Sequence, residues 1–496
     1  MRKLALLVAI GAALSAQPMP SAQATAGSLK AAADALGVAN IRTLQFTGAG
    51  SAFALGQNYL STEAWPPVLV KSFSAAINFD TASMRQEQVR DQSVAMPRGG
   101  GAPFNGAADV RQIQVVSGDY AWNVPAAAGA QAAAAPANQL ERMLFVWSTP
   151  QGFVKAAMAN NAATRKVPGG TEVSFAVGGK YKMTGLINAR NEVERVQTWI
   201  DQSIVGDMLV ETTYSNYYDF GGILFPTRMV QKQDGFPLLD LAIASVVANP
   251  AVDIAVPDNV KTPPAPAPVM VASQKLADGV YYLTGGTHHS LAVEMSDHIV
   301  LVDTPNSEQR ALAVIAKTKE LIPNKPIRFI VTSHHHWDHL GGIRTAMDEG
   351  ATIVTHESNR AFLERVAKTP HTIAPDRLAA SKKPVKIQTV GDDGKLTDGT
   401  RTIELHRMQG FKHAGDLLLV YLPKEKILAE PDAYTPPATP MTPLNPAAQV
   451  LAQQLYDNIQ RLKLDVQTIA PFHGARTADM AELGRLSGRA TTGNTN

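Results

Sequence analysis

Four histidines and one aspartate occupy six consecutive positions in the stretch SHHHWDHLGG, residues 333–342, which ends on two glycines. Histidine nitrogen and aspartate oxygen are common ligands of transition metals. The stretch directly follows an apolar strand-like segment, residues 329–331, and α/β sheets place ligand sites at the carboxyl ends of their strands. The sequence therefore predicts an α/β domain with a metal site at one edge of a sheet.

The composition restricts the chemistry of such a site. The chain has 496 residues, enough for two or three domains, and is 45% hydrophobic and 18% charged, as in soluble globular proteins. It contains no cysteine, so the metal ligands must be nitrogen and oxygen atoms.

The first 24 residues have the features of a secretory signal peptide. Arg2 and Lys3 precede an apolar run over residues 4–14, and the sequence AQA at 22–24 provides a cleavage signal. The absence of cysteine excludes a lipid-anchor signal and suits an oxidising compartment. We therefore expect a periplasmic or secreted protein without a transmembrane helix.

The charge balance bears on the partners. The signal peptide contains two basic residues and no acidic one, so 43 basic and 43 acidic residues remain after its removal. A chain near neutrality lacks the electrostatic footprint of nucleic-acid binding. We expect a small-molecule substrate, neutral or apolar, and no nucleic-acid partner; the sequence leaves the oligomeric state open.

Two regions of different pattern flank a proline- and alanine-rich stretch at 257–274, which is interpreted as an extended linker. Residues 25–256 alternate as strands do and predict a β-rich, mostly antiparallel accessory domain. Residues 275–496 interleave strand-like and helix-like segments and predict a layered α/β domain. A glycine-rich stretch within the first region, MPRGGGAPFNG at 96–106, is interpreted as a flexible loop.

In the N-terminal region, the progression from a strand into YSNYYDFGGILFPTRM, residues 214–229, resembles the half-barrel of periplasmic lipoprotein carriers. This resemblance implies a curved sheet around an apolar groove. A plain β-rich accessory domain is the alternative.

The spacing of the histidine run suggests more than one ion. His334 and His336 can share one ion, whereas Asp338 and His339 are available to a second. An imidazole binds a metal at about 2.0–2.1 Å, and three such ligands leave one position open for water. Further ligands are expected at later strand ends, and the candidates are His413, Asp432 and His473.

This set of motifs, H-x-H-x-D-H followed by a separated histidine, aspartate and histidine, resembles the metallo-β-lactamase-fold hydrolase superfamily from about Leu276 onward. The resemblance implies a four-layered αββα sandwich with a dinuclear site between its sheets. By position it implies two ligand sets: His334, His336 and His413 for one ion, and Asp338, His339 and His473 for the other, with Asp432 bridging. Where the family usually has Gly-Asp at the bridging position, this chain has Pro431-Asp432.

Other residues near the motifs receive supporting roles. His288 and His289, and Trp337 between the ligands, are candidate substrate contacts, with turn and packing roles as alternatives. Asp303 resembles the strand-end aspartate that supports the ligands from behind. His335 is expected at the surface, facing away from the metals.

The resemblance implies an exported hydrolase with two divalent ions, zinc by default and iron or manganese as alternatives. Two ions about 3.5–4 Å apart lower the pKa of bound water, and metal-bound hydroxide would attack a small ester, lactone or amide. Asp338 is the candidate catalytic residue, orienting the nucleophile and transferring its proton. Three alternatives stay open: a β-lactamase, a phosphodiesterase, and a periplasmic carrier of lipophilic ligands with a subsidiary metal domain.

Overall fold

The computed structural model describes residues 22–91, 98–101, 109–127, 129–440 and 442–489, with side chains from residue 27 onward. The predicted signal peptide lies outside this part except for its last three positions, which begin a helix at Ala22. Among the described residues, no helix is long and apolar enough to cross a membrane.

The N-terminal domain is built from antiparallel strands and a few helices. The strands are β1 Thr43–Phe53, β2 Pro67–Asn78, β3 Ser83–Arg90, β4 Val110–Ser117, β5 Tyr120–Val124, β6 Ala133–Ala134, β7 Ala163–Val167, β8 Gly170–Val177, β9 Tyr181–Asn188, β10 Val193–Gln202, β11 Gly206–Asp219, β12 Leu224–Gln233 and β13 Phe236–Ala248. The helices are α1 Ala22–Ala35, α2 Gln139–Ser148 and α3 Pro150–Ala159.

Within the described residues, these thirteen strands form one sheet in the order β6-β5-β4-β3-β2-β1-β13-β12-β11-β10-β9-β8-β7. Side chains alternate between buried and exposed positions along strands such as β8 and β10, as a sheet covered on one face requires. Helices α2 and α3 cover that face, where Phe153 and Leu144 are buried with sheet residues such as Phe46. The predicted β-rich antiparallel domain is confirmed.

A cavity of about 220 Å³ lies between this sheet and α2. Its lining includes the polar side chains of Gln88, Glu141 and Arg142 beside Leu144 and Leu239. A larger cavity of about 670 Å³ in the same domain is lined mainly by apolar side chains, among them Phe79, Trp147 and Met158. The apolar groove expected from the carrier resemblance stays a prediction.

The stretch interpreted as an extended linker contains a short helix, α4 Asp258–Lys261. Val260 of this helix is buried in a cluster with Ile113 and Trp122 of the N-terminal sheet. The extended-linker interpretation is wrong for this helix, since an apolar side chain among the prolines fixes it to the sheet.

The C-terminal domain contains two further sheets. The first consists of β14 Ala272–Ala277, β15 Val280–Thr284, β16 Ser290–Glu294, β17 Ile299–Val302, β18 Ile327–Val331, β19 Thr352–His356 and β20 Lys386–Val390. The second consists of β21 Asp393–Thr397, β22 Thr402–Arg407, β23 Leu418–Leu422, β24 Ile427–Glu430 and β25 Thr468–Pro471. The helices are α5 Glu308–Leu321, α6 Trp337–Leu340, α7 Ile343–Glu349, α8 Arg360–Lys368, α9 Arg377–Ser381, α10 Pro446–Leu462 and α11 Met480–Ser487.

The two C-terminal sheets pack face to face, with Val300 and Val331 of one sheet buried in the same cluster as Val420 and Ala429 of the other. Helices α10 and α11 pack on the outer face of the second sheet, where Leu455 and Leu483 are buried with Leu419. Apolar side chains of α5, α7 and α8 are buried with those of the first sheet. The order of layers is helix, sheet, sheet, helix, which confirms the predicted αββα sandwich.

Strand direction explains where polar side chains gather. β17 and β18 are parallel neighbours in the first sheet, and β24 and β25 are parallel neighbours in the second. Each of these strands is followed within a few residues by a candidate site residue: Asp303 after β17, the histidine run after β18, Asp432 after β24 and His473 after β25. Because parallel strands end at the same edge, these residues meet there.

Candidate metal centre

At the histidine run, the chain turns sharply from the end of β18 into the one-turn helix α6. Gly341 and Gly342 close the turn against residues 304–307, and a Cβ atom on Gly341 would lie 2.2 Å from the carbonyl carbon of Asn306. The amide of Gly342 donates to the carbonyl oxygen of Thr304 at 2.9 Å. The two glycines therefore permit the close backbone approach that directs the run into the space between the sheets.

Four side chains form what we call the first donor group: His334, His336, His413 and Asp432. One potential ligand atom from each lies within 4.8 Å of the others. Within the described part of the chain, four buried atoms of this group have no hydrogen-bond partner: Nε2 of His334, Nδ1 of His336, Nε2 of His413 and Oδ2 of Asp432. Buried polar atoms without partners are costly, so four that converge on one point fit the binding of a cation.

A second donor group consists of His288, Asp338, His339 and His473. The Nε2 atoms of His339 and His473 are 3.2 Å apart, and Nε2 of His288 lies 3.1 Å from Oδ2 of Asp338. Nδ1 of His339 is hydrogen-bonded to Asp303 at 2.9 Å, which leaves its Nε2 facing the group. Two ring nitrogens that face each other at this distance need a cation or a proton between them.

Asp432 lies between the two groups. Its Oδ2 is 3.1 Å from Nε2 of His334 and 3.5 Å from Nε2 of His413, both in the first group. In the second group, the same Oδ2 is 3.2 Å from Nε2 of His339, and Oδ1 is 3.0 Å from Nε2 of His473. Two ligands of one tetrahedral zinc ion are about 3.3 Å apart, given bonds of about 2.0–2.1 Å, so these separations fit coordination by shared ions.

The electrostatics of the first group also suit a metal. Burial, followed by repulsion from neighbouring imidazoles, holds the pKa of His334 well below its usual value and lowers that of His336 to about 3. Both rings are therefore neutral at pH 7 and offer lone pairs. Burial would raise the pKa of Asp432, but the surrounding imidazoles, His339 first, keep it well below the ordinary range, so this carboxylate is ionised.

Asp338 is ionised as well, although it is largely buried. Burial would raise its pKa, but the hydrogen bond with His288 and the proximity of His339 outweigh that effect and lower it. The donor set thus combines imidazoles with two carboxylates. It includes His339, whose pKa burial would lower but the carboxylates of Asp432 and Asp303 raise well above its usual value. This is the nitrogen and oxygen ligation that zinc, iron or manganese accepts. The residues present fit a pair of divalent ions.

Three buried acids hold the ligand-bearing loops in place. Asp303 accepts hydrogen bonds from Nδ1 of His339 and from the hydroxyl and amide groups of Ser333. Asp416 accepts from both the amide and Nδ1 of His335. Glu430, whose pKa burial raises to about 8, accepts from the amides of Ala433 and Tyr434 in the turn that carries Asp432.

The position of His335 differs from the one expected from the sequence. It is 1% exposed, and its Nδ1 lies 2.8 Å from Asp416. The expectation of a surface histidine is wrong, because a buried carboxylate satisfies the ring. It belongs to neither donor group among the described residues, so it does face away from the candidate metal positions.

The three candidate substrate contacts have different environments. His288 is part of the second donor group, which makes it a potential ligand. His289 lies outside both groups: its Nε2 is 2.6 Å from the carbonyl oxygen of Gly474, and its ring packs edge-on against Tyr282. Trp337 packs edge-on against Trp65 of the N-terminal domain. The last two therefore have packing contacts that account for their positions.

Residues of the N-terminal domain reach the same site. Gln57 donates from Nε2 to Oδ1 of Asp338 at 2.9 Å, and the carbonyl oxygen of Asn58 is 2.8 Å from Nε2 of His336. Gly100 lies so close that a Cβ atom there would be 2.7 Å from Cε1 of His336 and 2.8 Å from Cε1 of His413. The supposed flexible loop at 96–106 thus packs against the site in its described part, residues 98–101. No pattern in the sequence signals these contacts.

Access to the site is one-sided. The side chains of His334 and His336 are completely buried. In contrast, 33% of the Asp338 side chain, 24% of His473 and 12% of His288 are exposed. A small molecule therefore reaches the site from the side of the second donor group.

Comparison with known proteins agrees with this geometry. Residues 283–473 match the family profile described as the Metallo-beta-lactamase superfamily. A search of curated proteins gives no match.

Solved structures that match part of this chain include a metallo-beta-lactamase from Pontibacter korlensis, at 20% identity and a TM-score of 0.34, covering 44% of this chain and 98% of that one. Another is the metallo-beta-lactamase FIM-1 from Pseudomonas aeruginosa in its mono-zinc form, at 18% identity and a TM-score of 0.34, covering 45% and 96%.

Proposed function

We propose that this chain hydrolyses a small ester, lactone or amide with two divalent ions. Residues 283–473 match the metallo-β-lactamase superfamily profile, and that fold implies metal-dependent hydrolysis. Zinc is the default ion, with iron or manganese as alternatives. The observation that carries the proposal is the position of Asp432, whose carboxylate lies within 3.2 Å of ring nitrogens from both donor groups.

Each residue of the two groups has a distinct task in this proposal. His334, His336 and His413 would hold one ion; Asp338, His339 and His473 would hold the other, with Asp432 shared between them. His288 is available as a further ligand of the second ion, because its Nε2 lies in that group. Ions bound there lower the pKa of a bound water and polarise the bond to be cleaved.

Asp338 is the candidate catalytic residue. Its Oδ1 is held by Gln57, while Oδ2 faces His288 at 3.1 Å. Its lowered pKa keeps the carboxylate ionised at neutral pH, so it has no proton of its own and can orient the attacking water by accepting a hydrogen bond from it. Asp338 is also the most exposed residue of the second donor group, at 33%, so a leaving group can reach it.

The alternatives differ in what supports them. The near-neutral charge after removal of residues 1–24 disfavours nucleic acid as a phosphodiester substrate. Lipophilic-ligand transport stays open, because the N-terminal domain has both the mixed-polarity cavity and a larger one of about 670 Å³ lined by Phe79, Trp147 and Met158. A β-lactamase remains the main competitor, since the family profile covers that activity as well.

The test combines metal analysis with a substrate screen on the purified chain. We expect two equivalents of metal, and chelator-sensitive turnover of aryl esters, lactones or amides that exceeds turnover of a chromogenic cephalosporin or a bis-aryl phosphate. His413→Ala should lose metal and activity, whereas the matched control His406→Ala, which removes a ring paired with Asp393 outside both groups, should retain them. Full activity in the presence of chelator would refute metal-dependent hydrolysis.

Export is a separate part of the proposal and is supported by the signal-peptide pattern of residues 1–24. N-terminal sequencing of the protein from the periplasmic and extracellular fractions should find a new terminus near residue 25. An intact Met1 terminus on cytoplasmic protein only would contradict it.

A further inference from the structure

The loop between β1 and β2, residues 54–66, leaves the N-terminal sheet and enters the candidate metal centre. We call it the cross-domain loop. Its backbone contacts the C-terminal domain at two places. The amide of Trp337 donates to the carbonyl oxygen of Gly56 at 3.2 Å, and the amide of Gly415 donates to the carbonyl oxygen of Tyr59 at 2.8 Å. Both C-terminal partners are close in sequence to metal-ligand candidates, so the loop lies over the ligand-bearing turns themselves.

Gln57 sets the orientation of Asp338. The side-chain amide nitrogen of Gln57 donates a hydrogen bond to Oδ1 of Asp338 at 2.9 Å. Only Oδ2 is then left to face the second donor group, where His288 lies 3.1 Å away. A carboxylate held at one oxygen cannot rotate freely, so its other oxygen is fixed toward the metal position.

Asn58 sets which nitrogen of His336 is available. Its backbone carbonyl oxygen can only accept, so the 2.8 Å contact places the ring proton of His336 on Nε2. Nδ1 is left with its lone pair, and this is the buried atom that has no partner among the described residues. The side chain of Asn58 also contacts the neighbouring ring, with Oδ1 3.1 Å from Nε2 of His335.

The cross-domain loop is held rigidly enough for such a role. Trp65 is 2% exposed and packs against Trp337 with the ring centroids 5.8 Å apart. Gly56 has φ +69°, and a Cβ atom there would lie 2.3 Å from Cγ of Trp337. A side chain at that position would push the loop away from α6, so glycine allows the loop to approach the ligands this closely.

We propose that the N-terminal domain supplies two positioning residues of the metal centre, Gln57 for Asp338 and Asn58 for His336. This inference rests on the proposed function, because it assumes that the donor groups bind metal. It assigns the accessory domain a direct part in the site: neither ligand is correctly oriented by the C-terminal domain alone.

The test is titration of the metal-free full-length protein with Co²⁺, followed by the visible absorption bands of the bound ion, for Gln57→Leu and Gln57→Asn. Leucine removes the donor at similar size, and asparagine keeps the amide but shortens its reach. Partners behind metal ligands typically contribute about 10–100-fold in metal affinity. We expect a loss of that size for the second ion and an altered spectrum, with the first ion bound as in the wild type.

The matched control is Gln197→Leu, because Gln197 also donates to a carboxylate, Oε2 of Glu211 at 2.7 Å, but within the N-terminal sheet. It should bind both ions as the wild type does. If both Gln57 variants bound Co²⁺ with the wild-type affinity and spectrum, the inference would be overturned while the proposed function stayed intact. An equal loss of metal affinity in the Gln197 control would have the same consequence. If the wild-type protein bound no Co²⁺ or Zn²⁺, the proposed function would fail, and the inference with it.

Discussion

Asp303 accepts a hydrogen bond from Nδ1 of His339 at 2.9 Å, and both side chains are completely buried. The pair fixes the ring proton on Nδ1 and turns Nε2 toward the second donor group. Since Asp303 also has a left-handed backbone conformation, with φ 58°, asparagine is the substitution that disturbs the backbone least.

We expect Asp303→Asn to weaken binding of the second ion by about 10-fold or more, because the neutral amide no longer polarises the imidazole. Competition with a chromophoric chelator measures this. Asp393→Asn provides the control, as it alters an exposed aspartate paired with His406 at 2.7 Å. Equal affinities for Asp303→Asn and the wild type would show that the pair does not support the ligand.

Asp432→Asn should reduce the metal content from two ions toward one and lower hydrolysis by more than about 100-fold, the upper end of what partners behind the ligands contribute. The reason is that its carboxylate contacts ring nitrogens of both donor groups. Elemental analysis and initial rates measure the two effects. Asp465→Asn, at an exposed aspartate paired with Lys426, should change neither the metal content nor the rate. If Asp432→Asn retained two ions, Asp432 would not be a ligand.

Gly100→Ala should weaken metal binding at the first donor group by about 10-fold, comparable to loss of a partner behind a ligand. The new methyl group would lie 2.2 Å from Oε1 of Gln57, 2.7 Å from Cε1 of His336 and 2.8 Å from Cε1 of His413, so the Gln57 side chain and the two rings would have to shift. Gly391→Ala adds the same methyl group where nothing lies within 4 Å and should be neutral. Metal titration distinguishes the two, and identical curves would contradict the close packing of residues 98–101.

Removal of metal should lower the thermal stability of the protein, since four buried atoms of the first donor group then lack partners. Zinc at 100 times its dissociation constant stabilises the folded state by about 2.7 kcal/mol. For a domain of this size that corresponds to roughly 5–10 °C in the melting temperature. Calorimetry of chelator-treated protein with and without zinc measures it, and His413→Ala should show a smaller increase than His406→Ala. The absence of any zinc effect on the wild-type protein would contradict the prediction.

Asp416 gives the protein a pH-dependent contribution to stability. Burial would raise its pKa, but the charge and hydrogen bonds of His335, and the hydrogen bond from Asn359, outweigh that and lower it. A carboxyl group with a lowered pKa in the folded state stabilises the protein above its unfolded pKa of about 3.9, and this stabilisation is lost as the pH falls further.

We therefore expect Asp416→Asn to reduce the free energy of unfolding by about 1–3 kcal/mol at pH 7, and the difference from the wild type to narrow below about pH 4. Urea denaturation of metal-free protein across this pH range is the measurement. Asp465→Asn serves again as the exposed control. A difference that stays constant down to pH 2 would show that the charge of Asp416 is not what stabilises the fold.

The C-terminal fold could be predicted from its alternating strand and helix patterns. Most of the donor set could be predicted because its members directly follow strands. His334 to His339, Asp432 and His473 each follow an apolar strand, and parallel strands bring their ends to one edge. His288 was placed near the site but not among the donors, since a histidine pair in a turn carries no ligand spacing of its own.

The contribution of the N-terminal domain could not be predicted. Gln57 and Asp338 are 281 positions apart, and neither the amide nor its neighbours form a motif. His335 was misplaced for a similar reason: its partner Asp416 is 81 positions away, and a buried charge pair leaves no periodic pattern in the sequence. Contacts that depend on how two domains dock are set by surface shape, which local patterns do not encode.

The complete burial of His334 and His336 beneath the cross-domain loop has a kinetic consequence. An ion held between these rings would be more enclosed than one in the second donor group, because His413, at 12%, is the most exposed side chain of the first group, whereas Asp338 is 33% exposed. Exchange with free metal should therefore be biphasic, with one ion replaced quickly and the other more slowly. The metal present when the chain folds would then persist longest in the inner position.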